Sequence, residues 1–436
     1  MTAAPGSGAA APAAAALDRA AREQGGRVLA TLIGHLGGDF ALAEDALQDA
    51  YAEAAGRWPR DGVPRNPGAW LTTAARRRAI DRLRRARGLD ERLRTLEALA
   101  QRDGGAVHED APARDADDDQ LPDDRLRLIF TCCHPALSPE ARIALTVKTL
   151  GGLTTAQTAR AFLVEPRTME QRLTRAKAKI AAAGIPYRVP PRELLPERLA
   201  GVRQVVYLIF TEGHTASDGE RLVRDELCEE AIRLGRLLHA TLPPNSETLG
   251  LLALMLLHDS RRAARADAAG RPVPLAAQDR LTWDGGRIAE GVALLDEALA
   301  QRRPGPFQVE AAIAALHAGA ASLEETDWPQ ISALYGRLLQ WRPTPVVAVN
   351  RAVAIAFADG TRAGLAELDA LADERKLVGY VPLHSARAEL LRRDGDAAGA
   401  LAAYERAIAL CGNGAQRAEL ERRRAELLPG AGAPGV

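Results

Sequence analysis

Arginine side chains recur at helical spacing between Trp70 and Arg85. Arg78, Arg82 and Arg85 stand at positions i, i+4 and i+7, so they share one face of a helix. Such a stripe of guanidinium groups can neutralise successive phosphates of a nucleic acid, which gives salt-sensitive affinity without sequence information. A basic helix that is merely exposed to solvent is the other interpretation of this pattern.

A second helix with outward-facing polar residues is predicted after Pro166. An earlier helix is predicted to start with Ser138 as N-cap and Pro139 in the first position and to end at Gly151 and Gly152. A further helix, capped by Thr154 or Thr155, then precedes the turn before Pro166. The polar residues near the start of the later helix are Arg167, Thr168, Gln171, Arg172 and Arg175. This is helix-turn-helix patterning, in which the second helix enters the major groove and Arg and Gln side chains bind base edges.

An acidic and polar face precedes the arginine stripe, on a helix predicted from Ala41 to Trp58. The face comprises Glu44, Asp45, Gln48 and Asp49, while small apolar residues occupy the inward positions. An ordinary solvated face is the simplest interpretation. The residues from Trp58 to Gly68 are rich in Pro, Gly, Asn and Asp, which predicts a loop before the arginine helix.

Charge is segregated along the chain although the net charge of its 436 residues is zero. Between Trp70 and Arg94 there are nine Arg and three acidic residues, whereas between Gln101 and Asp124 there are nine acidic residues and two Arg. The acidic segment cannot form a core, so it predicts a linker. Ala, Leu and Arg dominate and aromatics make up only 4%, which favours helices nearly throughout.

Three segments together resemble the extracytoplasmic-function sigma factors, which are small specificity subunits of bacterial RNA polymerase. They are AEDALQDA from Ala43, WLTTAARRRAIDRLRR from Trp70 and LTTAQTARAFLVEPRTMEQRLTRAKAKI from Leu153. The resemblance covers roughly the first 185 residues. It implies a protein that binds the polymerase core and directs promoter-specific transcription initiation.

The resemblance also implies a role for each candidate residue. Glu44, Asp45, Gln48 and Asp49 would dock on the β′ clamp helices, and the β flap would be a second contact on the polymerase. The minus-10 element, with a base flipped out of the stack, would be bound by Trp58, Asn66, Trp70, Arg76, Arg78, Arg82 and Arg85. The minus-35 element would be read as duplex by Arg167, Thr168, Gln171, Arg172 and Arg175.

The second half of the chain is longer than a minimal sigma factor requires. The segment from Ala386 to Leu410 matches the tetratricopeptide layout, with Gly395 at a turn and Ala400, Tyr404 and Ala407 at packing positions. A weaker copy lies between Val349 and Ala372. Such helix pairs stack into a concave surface that takes a protein or peptide ligand.

Over its full length the chain resembles the sigma subgroup that has a long C-terminal extension and an Asp-Gly-Gly-Arg motif. In this sequence the motif is Asp284, Gly285, Gly286 and Arg287. Asp284 could cap the helix that follows, and Arg287 could pair with an acid. A purely structural turn and a regulatory contact are both compatible with the motif. Family membership implies that the extension regulates the sigma part in cis.

The predicted fold is all-α, with two small helical sigma domains joined by an acidic linker, the second a helix-turn-helix, followed by a helical tetratricopeptide-like extension. The expected divisions are a disordered lead at 1–16, region 2 at 17–96, the linker at 97–122, region 4 at 123–186, a helical extension domain at 187–286 and helical repeats at 287–430.

Other classes of function find little support. The histidines are scattered, with no catalytic motif, no metal spacing and no phosphate-binding glycine loop, so we expect no enzyme activity, metal or cofactor. The four cysteines form no disulfide framework, and no segment suggests a signal peptide or a membrane span, so we expect a cytoplasmic protein. An autonomous helix-turn-helix regulator that senses or dimerises through its repeats remains an alternative, as does a repeat adaptor that binds nucleic acid nonspecifically.

Overall fold

The computed structural model describes residues 7–85, 121–150, 154–162, 164–216, 219–371 and 373–428. The described ranges contain α-helices, short 3-10 turns and two isolated bridges, and they contain no β-strand. The predicted all-α fold is therefore confirmed. The chain divides into two compact units, Met1–Val205 and Val206–Val436, and most of the expected acidic linker lies outside the described residues.

Eight α-helices begin within the described residues of the first unit. They are α1 Ser7–His35, α2 Phe40–Asp61, α3 Pro67–Arg85, α4 Leu121–Cys132, α5 Pro139–Thr149, α6 Thr155–Ala161, α7 Pro166–Ala182 and α8 Leu195–His214. Helices α1, α2 and α3 pack on one another, and α5, α6 and α7 form a second group. Helix α1 also contacts α4 and α5, which joins the two groups into one unit.

Local sequence explains where the functional helices begin. The side chain of Asp39 accepts a hydrogen bond from the Leu42 amide and caps α2, after Gly37 and Gly38 have turned the chain with φ of 64° and 89°. Ser138 caps α5 in the same way through the Ala141 amide. Helix α7 has Pro166 in its first turn, where the missing amide hydrogen costs nothing.

The N-terminal lead differs from the expectation of disorder over 1–16, because α1 already begins at Ser7. Ala13, Ala16 and Ala20 are buried at helical spacing in this segment. Alanine has the highest helix propensity and its small side chain permits close packing, and these two properties outweigh the single interruption at Pro12.

The second unit begins within α8, and its described residues form ten more α-helices. They are α9 Asp225–Thr241, α10 Ser246–Asp259, α11 Gly285–Ala300, α12 Pro306–Gly319, α13 Trp328–Trp341, α14 Pro345–Ala358, α15 Thr361–Asp369, α16 Val381–Asp394, α17 Ala397–Leu410 and α18 Gly414–Ala425. Helix α10 is apolar on nearly all sides and lies buried against α11 and α12.

From α12 onward each helix packs on the next along the chain, and the closest pairs are α13 with α14, α14 with α15, and α16 with α17. Gly395 ends α16 in the left-handed conformation, with φ of 85°, and the chain reverses into α17. Ala400, Tyr404 and Ala407 are buried between these helices and their neighbours. Among the described helices none is long and apolar enough to cross a membrane.

Candidate nucleic-acid interface

The arginine helix α3 and the acidic face of α2 lie against each other. Arg82 places Nη1 at 2.6 Å from Asp45 Oδ2 and Nη2 at 2.8 Å from Asp49 Oδ2. One turn away, Arg78 Nη2 lies 2.7 Å from Glu53 Oε2. Two sets of residues that the sequence assigned to different partners are therefore paired with each other in this structure.

The electrostatics of these pairs follow from their contacts. Hydrogen bonding to Asp49 raises the pKa of the Arg82 guanidinium. Burial raises the pKa of Glu53, but the hydrogen bond and charge of Arg78 outweigh it, so the net shift is downward. Asp45 remains mostly exposed and Asp49 and Arg82 remain partly exposed, so each pair stabilises the fold by only about 0–1 kcal/mol. A partner surface could displace these contacts at low cost.

Glu44 differs from the other acids of the face because its partner comes from the helix-turn-helix. Its Oε2 lies 2.5 Å from Nζ of Lys177 on α7, and both side chains are about one fifth exposed, at 21% and 22%. The predicted docking residue and the predicted recognition helix are thus in direct contact. Sequence reasoning missed Lys177, whose partner is distant in the chain.

Two further contacts join the same parts of the first unit. A Cβ added at Gly26 of α1 would lie 2.3 Å from the Leu150 carbonyl oxygen, so only glycine permits this approach. The Tyr187 hydroxyl lies 2.8 Å from the Ala30 carbonyl oxygen and 3.0 Å from that of Asp124. The helix-turn-helix group is therefore packed closely on α1.

The loop before α3 is organised by an aromatic pair and a cap. Trp58 is buried, and its ring meets that of the partly exposed Trp70 edge-on, with centroids 5.5 Å apart. In this structure Trp58 therefore packs against the inner side of Trp70, and too little of its ring is exposed to contact a DNA strand. Asn66 is exposed, and its Oδ1 caps α3 by accepting from the Ala69 amide, which leaves its amide group facing solvent.

The remaining residues of the predicted minus-10 set are only partly defined by the structure. Arg76 is partly exposed on α3. Arg85 ends the same helix, and its side chain lies outside the described part of the structure.

Helix α7 presents polar residues on one side and apolar residues on the other. Met169, Leu173, Ala176 and Ile180 are buried. Arg167, Thr168, Gln171 and Arg175 are exposed and Arg172 is partly exposed. No side-chain hydrogen bond caps the start of this helix at Glu165. The side of α7 that carries the predicted base-reading residues is accessible.

The Asp-Gly-Gly-Arg motif forms the first turn of α11 in the second unit. The Asp284 carboxylate accepts from the Arg287 amide and caps the helix, and the Asp284 amide donates to the Ser260 carbonyl at 2.7 Å. The Arg287 guanidinium is ion-paired with Asp259, which is buried and is also bound by Arg262 at 2.7 Å. These residues line a cleft of about 610 Å³.

Comparison with known proteins finds three sequence families that match parts of the chain. Residues 23–88 match sigma-70 region 2, and residues 127–180 match sigma-70 region 4. Residues 198–299 match DUF6596, a family of unknown function. The first range contains α2 and α3, the second contains α5 and α6 with most of α7, and the third contains the motif at α11.

A relative covers nearly the whole chain. An uncharacterized protein of Rhizobium meliloti (strain 1021) is 45% identical over 377 residues, which is 86% of this chain and 88% of the relative. The alignment is far longer than the two sigma regions, so it continues into the extension. No solved structure matches the chain. The two sigma-70 regions support a sigma-70 family factor of the extracytoplasmic-function type.

Proposed function

We propose that this sigma factor docks on core RNA polymerase through Glu44, Asp45, Gln48 and Asp49, and that it recognises promoters through α3 and α7. The coarse activity, transcription initiation, follows from the two sigma regions. The observation that carries the finer assignment is the position of the acidic face beside the arginine helix. Both are solvent-accessible, and both are held by exchangeable ion pairs.

The proposal divides the promoter between two surfaces. Asn66, Trp70 and the arginines of α3 would bind the melted minus-10 strand, with Trp58 supporting Trp70 from inside the fold. The exposed N-terminal part of α7 would enter the major groove at the minus-35 element. Acting in the cytoplasm with polymerase and promoter DNA as partners, the protein would need no catalytic group of its own.

Charge reversal tests the docking face. In the Asp45→Lys/Asp49→Lys variant we expect core binding to weaken at least about a hundredfold, since like charges across an interface cost several kcal/mol. Fluorescence anisotropy with labelled full-length protein and purified core polymerase measures this. The Glu193→Lys/Glu197→Lys variant is the matched control, because both acids are exposed in the same unit.

The Arg82→Ala variant separates docking from internal pairing. It removes the partner of both aspartates and leaves their charges in place. We expect it to bind core at least as tightly as the wild type, because both aspartates are freed, and to lose activity in transcription from linear templates. If Arg82→Ala lost core binding as severely as the double reversal, the aspartates would act through the fold of α2 and α3. Tight duplex binding by the protein alone, with no transcription beside core polymerase, would favour an autonomous regulator instead.

We further infer that the extension regulates the sigma part in cis. The Rhizobium relative supports this, because its similarity spans the sigma regions and continues into the extension. The tetratricopeptide-like pairs α14–α15 and α16–α17 would bind a protein or peptide segment. The motif at α11 would contribute through its charged cleft.

Two substitutions that each remove a helix N-cap test whether the Asp-Gly-Gly-Arg motif is regulatory. Asp284→Ala and Asp327→Ala each delete an aspartate that caps a helix of the extension, so each should cost about 1 kcal/mol of stability. If the motif is regulatory, only Asp284→Ala changes transcription by the full-length protein at equal stability, measured as transcript yield with core polymerase. Equal yields from both variants would make the motif a structural turn.

A further inference from the structure

The last repeat of the extension is hydrogen-bonded to a segment near the start of the second unit. Gly414, the first residue of α18, donates its amide hydrogen to the Gly219 carbonyl oxygen at 2.8 Å. Asn413 forms a parallel bridge with Gly219, and its Nδ2 donates to the Arg221 carbonyl oxygen at 2.9 Å. Arg221 and Asn413 are 192 positions apart in the chain. We call this set of contacts between residues 219–221 and 413–414 the clasp.

The side chain of Asn413 has two functions in the clasp. It is fully buried, its Oδ1 accepts from the Gln416 amide at 3.0 Å and caps α18, and its Nδ2 binds the Arg221 carbonyl oxygen. A carboxamide suits both functions because it carries an acceptor and two donors on one planar group. Cys411 is also buried, and its thiol donates to the Asn413 carbonyl oxygen at 3.4 Å, so Cys411 lies directly beside the clasp.

The segment that the clasp holds forms part of the cleft at the Asp-Gly-Gly-Arg motif. One wall of this cleft, whose volume is about 610 Å³, consists of Glu220, Arg221, Leu222, Val223 and Asp225. The motif residues Asp284 and Arg287 belong to the same lining, as does the end of α10. Within the described ranges the repeats contribute no lining residue, but α18 fixes the main chain of the wall through the clasp.

Ion pairs connect this wall with the motif. Asp225, the first residue of α9 and the last of the wall, has its Oδ1 3.6 Å from Nη1 of Arg262. Arg262 also places Nη2 2.7 Å from Oδ1 of the buried Asp259, which is paired with the motif residue Arg287. The pairs form one network from α9 past the end of α10 to α11. A shift of the wall therefore moves a charged group that belongs to the network around Arg287.

We propose that the clasp couples the last repeat to the motif, with Asn413 as the positioning residue of the cleft wall. A protein or peptide that binds the repeats and displaces α18 would move the wall and, with it, the ion pairs at Arg287. By linkage, a molecule that binds in the cleft would change the affinity of the repeats by the same factor. The coupling is a property of the second unit, and it rests on the regulation in cis proposed above only for its effect on transcription.

The Asn413→Asp variant of the full-length protein tests the clasp. The carboxylate keeps the cap of α18 but replaces the donor with an acceptor, which faces the Arg221 carbonyl oxygen and repels it. We expect Cys411 to react with a thiol reagent at least about tenfold faster in this variant, because the clasp opens locally. Mass spectrometry identifies the labelled cysteine. Asn413→Ser loses the donor without adding a charge and should change the rate in the same direction.

Hydrogen exchange at the motif tests the coupling. The Arg287 amide is bonded to the Asp284 carboxylate, and the Asp284 amide is bonded to the Ser260 carbonyl oxygen. In Asn413→Asp we expect both amides to exchange at least about threefold faster than in the wild type. Asp396→Ala is the matched control, because it removes the cap of α17 in the same repeat and leaves the clasp intact. It should leave exchange at the motif unchanged.

Two outcomes would overturn the proposal. Faster labelling of Cys411 with unchanged exchange at the motif would mean that the clasp opens without affecting the cleft. Unchanged labelling in both Asn413 variants would mean that its side chain does not hold the wall. Neither measurement involves polymerase, so a failure of the regulation in cis is seen separately, as equal transcript yields from Asp284→Ala and Asp327→Ala.

Discussion

At the scale of single residues, several side chains have a different role in the fold from the one that the sequence predicts. Trp58 belongs by type to a strand-binding loop, yet it is buried under Trp70. Asn66 is both a helix cap and an exposed amide. Lys177, which attracts no attention in the sequence, forms the contact between the recognition helix and the docking face. Residue type indicated the chemistry, and the fold decided which atoms remain available for it.

The four cysteines illustrate the same point and give a prediction. All four are buried and none forms a disulfide, and burial raises the pKa of Cys133 to about 11 and that of Cys228 to about 12. At neutral pH the thiolate fraction of Cys133 and Cys228 is therefore at least about a hundredfold lower than that of an exposed thiol. We expect a chromogenic disulfide reagent to label the native protein very slowly and to label four thiols after denaturation. Fast labelling of any native thiol would contradict the burial.

At the scale of elements, most helices were predictable because their signals are local. The N-cap at Ser138, the proline at the start of α7 and the inward spacing of Met169, Leu173, Ala176 and Ile180 are read within one or two turns. The pairing of Arg82 with Asp45 and Asp49 could not be read in this way. It joins residues more than thirty positions apart, and it depends on how α2 and α3 pack.

Substitution by alanine should change the free energy of unfolding in opposite directions at two glycines. Gly56 lies within α2 and has open space around a new Cβ, so Gly56→Ala should stabilise the protein by about 0.5–1 kcal/mol. Gly395 has φ of 85° at the end of α16, so Gly395→Ala should destabilise it by about 1 kcal/mol despite equally open space. Chemical denaturation measures both. A stabilising Gly395→Ala would mean that α16 does not end in this turn.

At the scale of the whole molecule, the acidic face of α2 has two binding partners, Lys177 within the protein and the proposed polymerase surface. The Lys177–Glu44 contact occupies part of the face that we assign to the polymerase. Removing Lys177 should therefore free Glu44 and strengthen core binding.

For Lys177→Ala we expect core affinity to rise about two- to fivefold, which corresponds to the free energy of one partly exposed ion pair. The measurement is anisotropy against core polymerase. Lys179→Ala is the control, because Lys179 is exposed on the same helix and should leave affinity unchanged. Weaker binding by Lys177→Ala would instead make this lysine a polymerase contact.

The tie made by Tyr187 has a practical consequence for shortened forms of this protein. The hydroxyl that reaches Ala30 and Asp124 lies just beyond the match to region 4, which ends at residue 180. A chain that ends at Pro186 would keep both sigma regions but lose the Tyr187 hydrogen bonds. Any change in its transcription activity could then come either from the missing extension or from weaker packing between the sigma regions. A chain that ends at Leu194, before α8 begins, separates the two effects.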